Sequence, residues 1–155
     1  MPRVTSDDDS VASVRVRVAR SGGTRRPCVR LPADDELERR VESGSCDALG
    51  IEPGDLVRLT FDREEHHAKV EGDRQNRVFR GAFDNRRLAR TPGEGDNRLV
   101  AWLRDHGREE GDALVLDVVV PGDHYGLRIP GERAVYDAKR GPRSSLADIA
   151  SDIDG

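Results

Sequence analysis

One pattern occurs twice in the chain. Residues 49–62 and 106–119 both read Gly-x-x-x-Gly-Asp followed by an apolar-rich stretch. Gly54 and Gly111 stand where a tight turn needs a positive φ. Asp55 and Asp112 are suited to bonding the backbone amides of that turn. Each copy is preceded by a stretch of helical character, 36–48 and 97–106. The duplication predicts two related helix–turn–strand units. A solenoid needs at least three repeats, so two units point to a pseudo-symmetric β-barrel. Gly-Asp turns are common, and chance recurrence is the competing account.

A chain of 155 residues fits a single domain. At that size about 68–70% of the unfolded surface is buried on folding, so no disulfide or metal staple is needed. Aromatic residues are 4% and charged residues 36% of the chain, so the core must come from Val, Leu, Ile and Ala. Arginine supplies 24 of the 26 basic residues, Lys69 and Lys139 being the others, and the formal net charge is −4. Scarce Lys with abundant Arg, Asp and Glu fits a halophilic archaeal cytoplasm or a high-GC genome; codon bias is the plain alternative for the Arg excess. Cys28 and Cys46 are isolated, and no Cys-x-x-Cys or His-x-x-x-His spacing occurs. No zinc site, other metal or cofactor is expected. A cytoplasmic setting, to which the composition points, argues against a disulfide. No apolar run is long enough to span a membrane, and no signal-peptide core is present.

Residues 1–10 are polar and acidic and are expected to form a disordered tail. In 11–19, Val14, Val16 and Val18 alternate with Arg15 and Arg17, the period of a strand with one core face and one cationic face. Gly22 and Gly23 break it, and 28–31 predicts the returning strand, ended by Pro32. The intervening 20–30 stretch carries Arg20, Arg25, Arg26 and Arg30 with few local acids; a solvated hairpin tip is the alternative. Its small residues suit a phosphate, but a P-loop's lysine and spacing are lacking. Residues 34–41 predict a short helix buried through Leu37 and Val41. Strands are expected at 56–61, 68–71 and 78–81. His66 and His67, between them, read as exposed turn histidines, a metal role needing distant ligands. A second basic cluster at 80–90 holds Arg80, Arg86, Arg87 and Arg90, with Leu88 pointing inward.

After a two-glycine loop at 92–97, Asp96 or Asn97 can cap a helix on which Leu99, Trp102 and Leu103 share one face. Residues 113–120 predict a central strand, 124–129 its hairpin partner and 134–136 a last edge strand. The main domain is therefore 11–136. The remainder, 137–155, reads as a polar linker and a terminal helix. Leu146, Ile149, Ala150 and Ile153 sit at helical spacing there, capped by Ser144 or Ser145. That helix docks on the domain or engages a protein partner.

The order of elements from about Val14 to Ile129 resembles the DNA-binding pseudobarrel of plant transcription-factor domains and restriction-endonuclease effector domains. The closest points are 29–32 (Val-Arg-Leu-Pro), 97–106 with Trp102, and 111–116. The resemblance implies a mainly β, α+β fold: an open pseudo-symmetric barrel of six to eight strands with two or three short helices. It also implies two arms gripping the major groove of duplex DNA, here the 20–30 loop and the 80–90 segment. The dense lysine of many pseudobarrels is absent. The chain as a whole also looks like a haloarchaeal family with no assigned activity.

Duplex DNA binding is thus the expected function. The contact residues would be Arg20, Arg25, Arg26, Arg30, Arg80, Arg86, Arg87, Arg90, Asn97 and Arg98. Arg suits phosphate and guanine because its planar fork makes two parallel bonds. High salt shortens the Debye length to about 3 Å at 1 M, which favours short bidentate contacts over diffuse charge. An RNA-binding or protein-interaction barrel is the alternative, although so few aromatics fit a base-stacking platform poorly. A metal-dependent nuclease ranks lower, because Glu65-His-His-Ala-Lys69 lacks the acid-x-Lys spacing, and no catalytic residue is assigned. Oligomeric state is not legible.

Overall fold

The computed structural model describes residues 3–6, 8, 11–20, 26–46, 48–91 and 94–137. Seven strands close into a barrel. They are β2 (Ala12–Arg20), β3 (Pro27–Arg30), β5 (Leu56–Phe61), β6 (Glu64–Gly72), β7 (Arg77–Phe79), β8 (Ala113–Val120) and β9 (His124–Arg128). Around the barrel they run β3-β7-β6-β5-β9-β8-β2, and β2 pairs back onto β3 to shut the ring. All neighbours are antiparallel except β5 and β9. The mainly β barrel predicted from the duplication is present, and its ring is closed. β4 (Val41–Ser43) adds to β2 outside it. β1 (Arg3–Thr5) and β10 (Val135–Asp137) form a separate ribbon. The helices are short: α1 (Leu37–Arg40), entered through a 3-10 turn, α2 (Arg86–Arg90) and α3 (Arg98–Asp105).

Alternation explains what lies inside. Val14, Val16 and Val18 point into the barrel, opposite Leu116 and Leu114 of β8, while Arg15 and Arg17 point out. Val57, Leu59 and Phe61 fill the lumen from β5, and Ala68 and Val70 from β6. α3 lays Leu99, Trp102 and Leu103 on the core, as its spacing requires, and Trp102 packs 5.1 Å from the ring of Phe61. Asn97 is its N-cap, accepting from the Val100 amide.

The duplication is structural as well as textual. In the first copy Asp55 accepts from the Glu52 amide at 2.9 Å; in the second Asp112 accepts from the Glu109 amide at 2.7 Å. Gly54 and Gly111 take φ of 98° and 94°. Gly54 N–H donates to Val70 of β6, and Gly111 N–H donates to Val18 of β2. Val70 and Val18 donate back to Asp55 and Asp112. β2 is therefore equivalent to β6, β3 to β7, α1 to α3 and β5 to β8.

Several local expectations change. The N-terminal tail contributes β1, because Arg3–Thr5 finds a partner strand at the far end of the chain. Helix occupies only part of 36–48. Val41, with a β-branched side chain, already belongs to a strand. His66 and His67 are not turn residues: β6 runs through them, and His66 is buried, stacked 4.2 Å from Phe61. Leu88 is half-buried and it is Ala89 that faces inward; the Leu88 side chain lies against Gly95, where a Cβ would meet it at 2.7 Å.

Candidate nucleic-acid interface

The equivalence of β2–β3 with β6–β7 gives the first connection a structural counterpart. The mate of the 21–26 connection is the short hairpin 73–76, not the 80–90 segment, because Val18 and Val70 fix which strands correspond. β3 and β7 are antiparallel neighbours, Arg30 opposite Val78 and Val29 opposite Phe79. Arg20 and Arg26, which flank the first connection, and the 73–76 hairpin therefore lie at opposite ends of this pair. The outer faces of β2, β3 and β7 form the wall between them.

That wall is arginine-rich. Arg15, Arg17 and Arg30 project from β2 and β3, and Arg80 follows β7 directly; all four are exposed. Arg17 stands directly opposite Arg30 on the antiparallel ladder. Like charges in that position repel. Among the described residues neither has a carboxylate partner; Arg30 donates to the Asn76 side-chain oxygen at 2.8 Å, which ties it to the 73–76 hairpin. Arg15 is held by Glu42 through two bonds, and Arg40 by Glu36 at 3.8 Å. Arg15, Arg17, Arg30 and Arg40 line one shallow cleft of about 70 Å³, with Glu36 as its only acid among the described residues.

A second cleft, about 350 Å³, opens where Arg26 ends the first connection. Arg26 and Arg104 of α3 line it together with Phe83, Val100 and Ala101 and with Asp96 and Asn97. Arg80 lies near this end, close enough to lower the pKa that burial raises at the Cys28 thiol. Arg26, just before β3, and Arg104 of α3 thus line one cleft.

The remaining site candidates are placed as follows. Arg20 is 3.8 Å from Glu110 and Arg80 is 3.6 Å from Glu71. Arg87 pairs with Glu94 at 3.3 Å, whereas Arg86 and Arg90 flank it on α2, which packs against β5 and β6 rather than over β3. Arg98 makes two 3.0 Å bonds to Asp84, and that pairing lowers the Asp84 pKa and raises that of Arg98. The Asn97 amide is consumed internally: it accepts from Val100 and Ala82 and donates to the Arg80 carbonyl. Gly81 packs under it so closely that a Cβ there would fall 2.5 Å from the Asn97 amide nitrogen. Arg25 lies outside the described residues. Sequence reasoning did not list Arg15, Arg17, Arg40 or Arg104 as contacts, although the alternation of Arg15 and Arg17 with valines already marked a cationic face.

The opposite wall is built differently. Asp117 of β8 is fully buried on the barrel's outer side. It accepts from Arg128 at 2.9 Å, from Ser13 at 2.7 Å and from the Tyr136 hydroxyl at 2.5 Å. Burial and the Asp117 carboxylate together push the Tyr136 phenol far above its ordinary pKa. The Tyr136 ring packs against Gly126, leaving no room for a Cβ. Nearby, Thr60 and His124 share a 2.7 Å hydrogen bond, and Arg58 is clamped by Asp123 and Glu65. These groups lock the β1–β10 ribbon and the β5–β9 seam to the barrel.

Among the described residues no group of three His, Cys, Asp or Glu side chains is placed to hold a metal, and no helix is long and apolar enough to cross a membrane. No curated protein and no solved structure matches the chain. The chain matches a family described as a family of unknown function (DUF7112) over residues 1–153, and it belongs to that family.

Proposed function

We propose that the protein binds duplex DNA through the outer wall of β2, β3 and β7, with the 20–30 and 73–76 connections at its two ends. One observation carries this: Arg17 and Arg30 face each other across a strand pair with no carboxylate between them among the described residues. In a chain with more acids than bases, five of the seven arginines on the barrel strands have a carboxylate within 4.0 Å among the described residues. A repelling pair left open on a cleft that also holds Arg15 and Arg40 is complementary to an anion. Two adjacent guanidinium forks suit backbone phosphates. Arg26 and Arg104 offer a second cationic contact for phosphate at the far end of β3. From Arg30 to Arg26 is four residues of extended chain, about 13 Å, close to the roughly 12 Å width of the major groove.

The test is a salt titration of a fluorescent duplex with wild type and Arg17→Ala/Arg30→Ala. Each phosphate contact contributes a log–log salt slope of about 0.9. The double variant is expected to bind about tenfold more weakly at 0.1 M salt and to lower the slope by about 2. An unchanged slope would remove this wall from the interface. Absence of duplex binding by the wild type at low salt would overturn the assignment. Preference for single-stranded RNA of equal length would replace it with the RNA-binding alternative.

A further inference from the structure

The hydrogen bonds that make the two Gly-Asp units equivalent also fix the axis that relates them. Val18 corresponds to Val70, since Gly111 binds one and Gly54 the other. Val18 is the register partner of Val29, and Val70 that of Phe79. Val29 therefore corresponds to Phe79, and these two are themselves register partners on β3 and β7. Equivalent residues face each other on antiparallel strands only across a two-fold axis normal to the sheet. Both side chains belong to the core, so the axis leaves the barrel through the wall of β2, β3 and β7.

The axis relates the cations of that wall in pairs. One residue beyond Val29 is Arg30, opposite Arg17; one residue beyond Phe79 is Arg80, and the counterpart of Arg17 is Lys69. Lys69 lies on the outer face of β6, between the inward Ala68 and Val70. Arg30 faces Val78, and Arg80 lies near enough to Cys28, the counterpart of Val78, for its charge to act on the thiol. Asn76, which accepts from Arg30, corresponds to Arg26, so Arg26 belongs to the Arg80 half. Glu71, 3.6 Å from Arg80, stands where the first unit has Ala19; a partly exposed pair at that distance is weak. The midpoints of Arg17–Arg30 and Lys69–Arg80 are two strand spacings apart across the sheet and two residue rises along it, about 12 Å. That matches the roughly 12 Å width of the major groove. The two antiparallel strands of a duplex are related by two-fold axes perpendicular to its length, which a protein two-fold can match.

We propose that duplex DNA docks with such an axis on the pseudo-two-fold axis of the barrel. Arg17 and Arg30 hold phosphates of one strand, and Lys69 and Arg80 those of the other. A single chain thereby grips both backbones across one groove, as a symmetric dimer does. This rests on the duplex-binding reading of the wall and adds which strand each pair takes. The experiment runs the salt titration on two duplexes, one ordinary and one with neutral methylphosphonate linkages throughout one strand. Wild type is expected to lose about 2 in log–log slope on the half-neutral duplex. Arg17→Ala/Arg30→Ala keeps cations for one strand only and can turn to the charged one, so it is expected to lose less than about 0.5 there. Lys69→Gln/Arg80→Gln is expected to fall below the wild-type slope by about 2 on the ordinary duplex, with a urea midpoint near that of wild type. A wild-type slope equal on both duplexes would put every contact on one strand and overturn the proposal while leaving duplex binding intact. So would a Lys69/Arg80 variant with the wild-type slope, or an Arg17/Arg30 variant that loses as much as wild type on the half-neutral duplex. Absence of wild-type binding to the ordinary duplex would remove the duplex-binding reading itself, and this proposal with it.

Discussion

The two outer walls of the barrel put the same residue to opposite uses. On β9, Arg128 lies against a fully buried carboxylate, under a ribbon made from both ends of the domain. On β2 and β3, Arg17 and Arg30 stand uncovered and oppose each other. Strand β2 belongs to both walls: its Ser13 is sealed into the Asp117 cluster, and two and four residues on, Arg15 and Arg17 are exposed. Composition alone cannot separate these roles. What separates them is whether a carboxylate sits within reach and whether another element covers the pair. Covered and paired, an arginine holds the fold. Uncovered and opposed by its own kind, it costs stability and is available to an anion.

The largest expected effect is on the covered wall. Arg128→Ala leaves Asp117 buried without its cation, and should cost about 3–5 kcal/mol in urea unfolding. Duplex affinity of the folded fraction should stay at the wild-type level. A loss below about 1 kcal/mol would mean that Arg128 is not what holds Asp117 in place, and the contrast between the walls would collapse. The open wall should behave in reverse: Arg17→Ala/Arg30→Ala should leave the unfolding midpoint unchanged or raise it, since the substitutions remove a like-charge repulsion.

Acid probes a third region. Burial holds His66 and His67 below the ordinary value of 6.5. The unfolded chain then binds more protons than the folded one as pH falls past that value. Stability from these residues is complete above about pH 6.5 and is lost below it. His66→Phe, which retains a ring against Phe61, should flatten the fall in urea midpoint between pH 7.5 and pH 5. An equally steep fall in the variant would assign the acid sensitivity to other groups. The smallest effect concerns α2. Arg86→Ala/Arg87→Ala should change duplex affinity by less than about twofold, as expected of exposed charges that are paired or off the interface. A loss as large as that of the Arg17/Arg30 variant would restore α2 as the second arm.

The legible parts of the sequence were those decided locally. The strands Leu56–Phe61 and Ala113–Val120 are bounded by their Gly-Asp turns and dense in β-formers, so their limits could be read directly. Trp102, Leu99 and Leu103 announced their face by spacing. What stayed hidden depends on distant partners. Arg3–Thr5 is a strand only because Val135–Asp137 lies beside it. His66 looks like a turn residue until the ring of Phe61 supplies a surface to stack on. The opposition of Arg17 and Arg30 needs the register of β2 on β3, which no local pattern specifies. The counterpart of the β2–β3 connection was hidden for a similar reason: the hydrogen bonds of Val18 and Val70, not any local pattern, pair it with 73–76.

The β1–β10 ribbon has a topological consequence. Arg3 is the register partner of Asp137, so the two ends of the domain are roughly 5 Å apart. The barrel is in effect a loop of chain with a seam, and the seam's position is arbitrary. A short Gly-Ser bridge from residue 137 to residue 3 could close it, and new ends could be cut at the exposed 73–76 hairpin. Such a permuted chain would keep every strand pair of the barrel while making the terminal ribbon a covalent hairpin. The clasp over Asp117 would then form locally, instead of waiting for the first and last strands to find each other.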